Sequence, residues 1–204
     1  MGSALFAAAS VLSLAPHWAE SWQLSPSDVN AVFFAGSIPF TTAALLQLIQ
    51  VLKAREAKTS FFRWHLRDIG WLSCLTQFVG TILFNFNTFD AMIPGLSWLD
   101  SDLIIWGPNL VGSVLFLLSG YLALVETCHA HWAFRPRDIS WWIGVINFLG
   151  CLGFMASALL SVYLPGPVDS QVGRLALAFT LQGALCFFVG AVLLLPEASE
   201  SGES

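Results

Sequence analysis

The residues best suited to chemistry in this chain lie in the stretch FNFNTFD, residues 84–90, at the end of a long apolar run. Asn85, Asn87 and Asp90 place two amides and one carboxylate close to hydrocarbon. Polar groups at such positions either contact a ligand or substrate, or form hydrogen bonds that hold helices together. The stretch alone leaves both interpretations open, so the elements that carry it have to be considered.

The composition indicates a membrane protein. Of 204 residues, 56% are hydrophobic and 10% are charged, whereas a soluble domain carries about 25% charged residues. The chain contains six apolar segments. The first, 2–15, is too short to span a membrane, and it is either a half-span or the apolar part of a signal peptide. The other five segments have the roughly 20 residues that a spanning helix requires: 31–52, 69–91, 103–125, 139–164 and 175–195.

The basic residues predict the orientation of the chain. Seven of the eight Lys and Arg residues fall in two loops, 53–67 and 135–137. The positive-inside rule places these loops in the cytoplasm, so with six segments both termini are cytoplasmic. The small, acidic tail, 198–204, is predicted to be disordered.

A repeat runs through the chain. The stretch RDIGWLSCLTQFVGTILF, which starts at Arg67, aligns without a gap with RDISWWIGVINFLGCLGF, which starts at Arg137. This repetition predicts three helical hairpins, at about 1–53, 67–126 and 137–197, of which the first begins with a truncated helix. Each apolar segment contains Gly-x-x-x-Phe: Gly2/Phe6, Gly36/Phe40, Gly80/Phe84, Gly112/Phe116, Gly150/Phe154 and Gly183/Phe187.

Small residues recur around each of these glycines. The next residue and the one eight positions later are small in every segment, and both lie on the helix face that carries the glycine. Such faces let membrane helices approach closely, and the phenylalanine is expected to fill the gap between them. The sequence therefore predicts an all-α membrane protein with one domain, 1–197, that forms a six-helix bundle.

The repeat provides a baseline for the polar residues. Asn87 occupies a position where the other segments have Ala, Ser or Gly, and Asp90 one where they have Leu. At about 1.5 Å per residue from Gly80, Asn87 lies inside the hydrocarbon and Asp90 at its edge. Four residues lie three positions before a repeated glycine, where they would either form a polar ring near mid-membrane or hydrogen-bond between helices: Gln77, Asn109, Asn147 and Thr180.

Several kinds of chemistry find no support. No Lys, Arg, Asp, Glu or His lies in the middle of a span, although proton relays, ion-coupled carriers and haem sites usually need one. There is no phosphate-binding glycine loop and no H-E-x-x-H. The stretch CHAH, residues 128–131, lacks the spacing of a structural zinc site. We therefore expect no enzyme activity, no metal, no cofactor and no nucleic-acid partner.

Two stretches carry a resemblance to a known family. VGTILFNFNTFDA and WGPNLVGSVLFLLSGYLALVE resemble the YrhK-like bacterial membrane proteins, and the similarity is best over roughly 67–197. The resemblance implies a small, few-span protein of the bacterial inner membrane. It supplies no catalytic residue and no role for the NFNTFD segment.

Three functions are compatible with these features. The first is a non-enzymatic structural subunit in the lipid bilayer that binds another protein or forms a homo-oligomer. The second is a small transporter or channel with a polar path lined by Asn87, Gln77, Asn109 and Asn147. A cavity that reaches these amides would favour this second function, and a dry bundle axis would exclude it. The third is a membrane enzyme or redox protein that uses the cytoplasmic histidines and cysteine.

Overall fold

A computed structural model describes residues 1–56, 68–129, 134–162 and 170–201, and the elements in these ranges are helical. A π-helical turn, Asp102–Trp106, directly precedes the helix that begins at Gly107. The predicted loop residues 57–67 and tail residues 202–204 lie outside the described ranges. The helices are α1 (Gly2–Leu14), α2 (Pro16–Ser21), α3 (Pro26–Glu56), α4 (Ile69–Asp90), α5 (Trp98–Ser101), α6 (Gly107–Cys128), α7 (Ile139–Leu160) and α8 (Ser170–Ser201).

Aspartates determine where the repeated helices start. Asp68 precedes α4 and accepts a hydrogen bond from the amide of Trp71 at 3.1 Å. Asp138 precedes α7 and accepts one from the amide of Ser140 at 3.0 Å. Each carboxylate satisfies a backbone donor that has no partner within the first helical turn. The repeated RDI triplet therefore marks the N-terminus of a helix in both copies.

Five helical stretches are long and apolar enough to cross a membrane, which confirms a multi-pass helical architecture. Their outer surfaces are apolar, and large side chains such as Phe86 and Leu159 are each 57% exposed. Helix α1 is apolar but has only 13 residues, and α8 continues into the segment that was predicted to be a disordered tail. The five stretches are Pro26–Ala54, Ile69–Asp90, Trp98–Cys128, Ile139–Leu160 and Gln171–Leu194.

The six longest helices of the described chain contact one another in a closed order. Helix α1 packs on α3, α3 on α4, α4 on α6, α6 on α7 and α7 on α8, and α8 returns to α1. The short α1 therefore occupies a place in this ring between α3 and α8. The interior of the ring is where side chains from all six helices can meet.

The repeated glycines lie where paired helices approach most closely. A methyl group added to Gly2 would lie 2.6 Å from the carbonyl oxygen of Gly36. At Gly112 it would lie 3.2 Å from the oxygen of Gly80, and at Gly183 it would lie 3.0 Å from the oxygen of Gly150. Any side chain at these glycines would push the two backbones apart.

Each repeated phenylalanine packs over the glycine of the partner helix. A methyl group on Gly36 would meet the ring of Phe6 at 2.8 Å, and one on Gly80 would meet the ring of Phe116 at the same distance. Long side chains in a helix lean towards its N-terminus, so a ring four residues after a glycine returns towards the level of that glycine. The missing side chain of the glycine leaves space between the two helices, and the phenylalanine of the paired helix fills that space.

The residues that directly follow the repeated glycines are also buried. Their exposed fractions are 5% or less in all six segments, whether the side chain is Ser, Thr, Cys or Ala. Small size is therefore the shared requirement at these positions, because each one faces another helix backbone. The six are Ser3, Ser37, Thr81, Ser113, Cys151 and Ala184.

Candidate functional site

Two layers of phenylalanine rings fill the centre of the helix ring. The first triad, Phe6, Phe84 and Phe154, comes from α1, α4 and α7, and the second triad, Phe40, Phe116 and Phe187, comes from α3, α6 and α8. Within the triads, ring centroids lie 5.8–6.2 Å apart for the pairs in contact. Between the triads, the paired rings of each hairpin lie 4.9–5.7 Å apart. Separations of this size are favourable for aromatic pairs.

A large cavity of about 680 Å³ lies on one side of the rings. The second triad closes its inner end, and its walls include the first residues of α4 and α7 and the last turns of α3 and α6. Its mouth is on the side where Met1 lies. Amide and carboxylate side chains in its wall are Gln47, Gln50, Gln77, Glu126 and Asn147.

A smaller cavity of about 180 Å³ lies on the other side of the rings. The first triad closes its inner end, and the walls come from the opposite ends of the same helices. Its polar and aromatic lining includes Asn30, Asn87, Trp106, Asn109 and Thr180. Two spaces with polar side chains in mostly apolar walls are therefore separated by two layers of phenyl rings.

The four polar residues that precede the glycines do not form the single ring that the repeat suggested. Gln77 and Asn147 line the large cavity, whereas Asn109 and Thr180 line the small one. The reason is helix direction: α4 and α7 run away from the Met1 side, and α6 and α8 run back. A residue three positions before the central glycine therefore lies on the Met1 side of the phenyl layers in α4 and α7. In α6 and α8 the same position lies on the opposite side.

The asparagines of FNFNTFD bond to neighbouring helices. Asn87 Nδ2 donates to the carbonyl oxygen of Ile105 at 3.0 Å, within the π-helical turn. Asn85 Nδ2 donates to Thr41 Oγ1 on α3 at 2.9 Å. Both asparagines therefore form hydrogen bonds to neighbouring elements, and Asn87 also lines the small cavity.

The carboxylate of this stretch takes no part in either cavity. Asp90 is the last residue of α4 and lies in neither of the two linings. The depth estimated for Asp90 from the repeat stays a prediction.

The small cavity is held together by further hydrogen bonds between elements. Asn30 Nδ2 donates to the carbonyl of Ala91 at 2.6 Å, and Trp106 Nε1 donates to the carbonyl of Ala158 at 2.8 Å. Sequence reasoning did not select Asn30 or assign this bond to Trp106. The position of Trp106 near a helix end does not reveal this hydrogen bond, because a tryptophan is expected there at a membrane interface in any case.

The large cavity contains a polar group without a partner. Asn147 Oδ1 is buried and accepts no hydrogen bond in the part of the chain that the structure describes. Gln77, by contrast, has the Ser119 hydroxyl 3.4 Å from its Oε1. Ser73 and Ser119 also donate to each other's backbone carbonyls at 2.9 Å, which joins α4 to α6. Sequence reasoning did not identify Ser73, since it resembles the many other small residues of the chain.

No metal centre is evident across residues 1–56, 68–129, 134–162 and 170–201: no group of three or more His, Cys, Asp or Glu side chains there could hold an ion. None of the four cysteines, which all lie in the described ranges, forms a disulfide. Cys128 and His129 end α6, whereas the predicted site's His131 and His65 lie outside the described ranges.

No protein-family model matches the chain, and no curated protein or solved structure matches it. The site is therefore interpreted from its own geometry.

Proposed function

We propose that the protein is a transport protein that passes small neutral solutes across the membrane through the centre of its helix ring. The observation that carries this proposal is the pair of polar cavities on opposite sides of the two phenylalanine triads. A hydrophobic constriction between aqueous spaces can gate a pore by excluding water. In this proposal, displacement of the rings connects the two cavities.

The chemistry of the walls favours an uncharged solute. The small cavity has no charged side chain among its described lining residues, and the large one has a single carboxylate, Glu126. Paths for ions and protons usually carry ionisable groups within the membrane. Amides and hydroxyls instead provide hydrogen bonds without fixed charge.

The threefold repeat provides a way for such a gate to move. We propose that the six helices form three hairpins of one type, related by an axis along the membrane normal, in a six-helix bundle. Each hairpin contributes one ring to each triad, so a tilt of one hairpin withdraws two of the six rings. With the predicted orientation, the large cavity faces the cytoplasm of a bacterial inner membrane.

The cavities support transport rather than the structural-subunit function, which is the first of the three functions compatible with the sequence. A purely structural bundle has no need of polar spaces along its axis, and close packing would fill them. Association with a protein partner or a second copy remains compatible with transport. The absence of enzyme activity and the resemblance to the YrhK-like proteins stay predictions.

The gate is tested by flux measurements on proteoliposomes that contain the full chain. The double variant Phe116→Ala/Phe154→Ala removes one ring from each triad. The matched control is Phe86→Ala/Phe89→Ala, which removes two rings that are 57% and 50% exposed on the outer surface. We expect xylitol flux to rise about tenfold or more in the triad variant, equivalent to a barrier lower by roughly 1.4 kcal/mol, and to stay unchanged in the control.

The proposal fails if protein-containing vesicles are no more permeable than empty ones in both the wild type and the triad variant. It also fails if both double variants increase flux equally, because the effect would then come from general loosening of the fold. Circular dichroism and gel filtration of each variant show whether the helices and the assembly size are retained.

A further inference from the structure

We infer that the inner end of the large cavity is a binding site for the solute and that the side chain of Asn147, whose Oδ1 packs against Gly190 in the unbound protein, turns towards the cavity and accepts a hydrogen bond from the solute. The solute class is a small neutral molecule with hydroxyl or amide N–H donors and an apolar face. This inference deepens the transport function proposed above and rests on it.

The repeat explains why Asn147 is left without an internal donor. Gln77 and Asn147 occupy the same position in their hairpins, three residues before Gly80 and Gly150. The facing residue on the partner helix is seven positions after its own glycine: Ser119 opposite Gln77. The Ser119 hydroxyl donates mainly to the Ser73 carbonyl at 2.9 Å and also lies 3.4 Å from Gln77 Oε1, so the middle hairpin has a hydroxyl close to its own amide.

The last hairpin has Gly190 where the middle hairpin has Ser119. A side chain at Gly190 would collide with the amide of Asn147, which shows that the amide occupies the space of the missing hydroxyl. No other described group donates to Asn147 Oδ1. A buried acceptor without a donor is unfavourable, and a ligand with an O–H or N–H group would satisfy it.

The floor of the same cavity defines the rest of the ligand. The rings of Phe40, Phe116 and Phe187 close the inner end, and Asn147 lies about 4.5 Å along the helix from the level of Gly150. The amide is therefore within one helical turn of the phenyl surface. A solute that presents C–H groups to the rings and a donor to the amide fits both, and ligand sites commonly combine an apolar wall with few polar groups.

Binding is measured with two pairs of probes on the full chain in lipid nanodiscs, by saturation-transfer NMR. Xylitol carries hydroxyl donors and its fully O-methylated form carries none. Malonamide carries N–H donors and its tetramethyl form carries none. We expect at least one donor-bearing probe to bind and its methylated counterpart to bind about fivefold or more weakly. Which pair responds distinguishes hydroxyl from amide ligands, and binding by neither donor-bearing probe overturns the inference.

The variant Asn147→Leu tests the residue itself, with Asn85→Leu as its matched control. Asn85 also has a buried carbonyl oxygen without a partner, but it lies in neither cavity lining. We expect Asn147→Leu to weaken probe binding about fivefold or more and the control to leave binding unchanged.

Stability separates this function from a packing role. Because Asn147 Oδ1 has no internal donor, replacement by leucine of similar shape should leave the unfolding midpoint equal to or above that of the wild type. A second variant, Gly190→Ser, introduces a side chain that collides with the Asn147 amide, so it displaces that amide and should also weaken binding. Unchanged binding in both variants, or a clearly lower unfolding midpoint for Asn147→Leu, overturns the inference.

The transport function can survive that failure. If the Phe116→Ala/Phe154→Ala variant increases flux while Asn147→Leu binds and transports like the wild type, the gate is supported and the Asn147 site is not. If neither set of variants changes flux, the transport function itself has failed.

Discussion

Gly183 is the position at which a single added methyl group tests the close packing of the helices most directly. The methyl group would lie 3.0 Å from the carbonyl oxygen of Gly150 and 3.1 Å from the ring of Phe154. The first of these atoms belongs to a backbone and the second to a ring that is itself held by Phe6, Phe84, Phe116 and Phe187. Neither neighbour can move away at little cost.

The expected magnitude follows from two opposing effects. Excess volume in a packed core costs about 1–3 kcal/mol, whereas alanine is more favourable than glycine within a helix by about 0.5–1 kcal/mol. Gly183→Ala should therefore destabilise the protein by roughly 0.5–2 kcal/mol. The control is Gly173→Ala in the same helix, where nothing lies within 4 Å of the added methyl group. It should be neutral or stabilising by up to about 1 kcal/mol.

The stability of both variants is measured by unfolding in mixed micelles with increasing sodium dodecyl sulfate. The fluorescence of the nine tryptophans reports the unfolding transition. The difference between the two variants isolates the steric cost, which should be about 1–3 kcal/mol. Equal stabilities for Gly183→Ala and Gly173→Ala would refute the reasoning, because α7 and α8 would then not approach as closely as these distances require.

Two further substitutions test the hydrogen bonds between helices. Ser119→Ala removes the hydroxyl that donates to the Ser73 carbonyl at 2.9 Å, and it should lower stability by about 0.6 kcal/mol, the average for such bonds in a membrane protein. Asn87→Leu removes the donation to Ile105 at 3.0 Å and an amide from the wall of the small cavity, so we expect a similar loss of stability in the same micelle assay together with lower xylitol flux. Lost stability with unchanged flux would show that Asn87 serves packing alone, with Asp90→Leu as the neutral comparison.

The sequence was sufficient for the helices and their packing residues. Apolar length identified the five long helices, and the repeat identified the glycines and phenylalanines because their spacing is local to one helix. It also predicted that the short first segment belongs with the others, and α1 is helical over Gly2–Leu14. Helix ends were less accurate, since α8 continues to Ser201 and the predicted third span begins earlier, at Trp98.

The sequence was insufficient for the polar site. It selected Asn87 and Asp90 because they depart from the pattern of the repeat, yet Asn87 is bonded to Ile105 and Asp90 lies at a helix end. The departure from the repeat that leaves the Asn147 oxygen without a hydrogen-bond donor is Gly190. This glycine looks ordinary because it lies in a stripe of small residues. Its effect appears only when the amide of Asn147 on another helix is placed against it.

The chain by itself determined which residues are small, which are aromatic and how far apart they lie along each helix, because a helix converts spacing directly into a shared face. Only the tertiary structure decided on which side of the phenyl rings each polar residue lies and which of them finds a partner. Those outcomes depend on the direction and pairing of separate helices, through contacts between residues distant in sequence. The two cavities and the unpaired Asn147 oxygen belong to this second group.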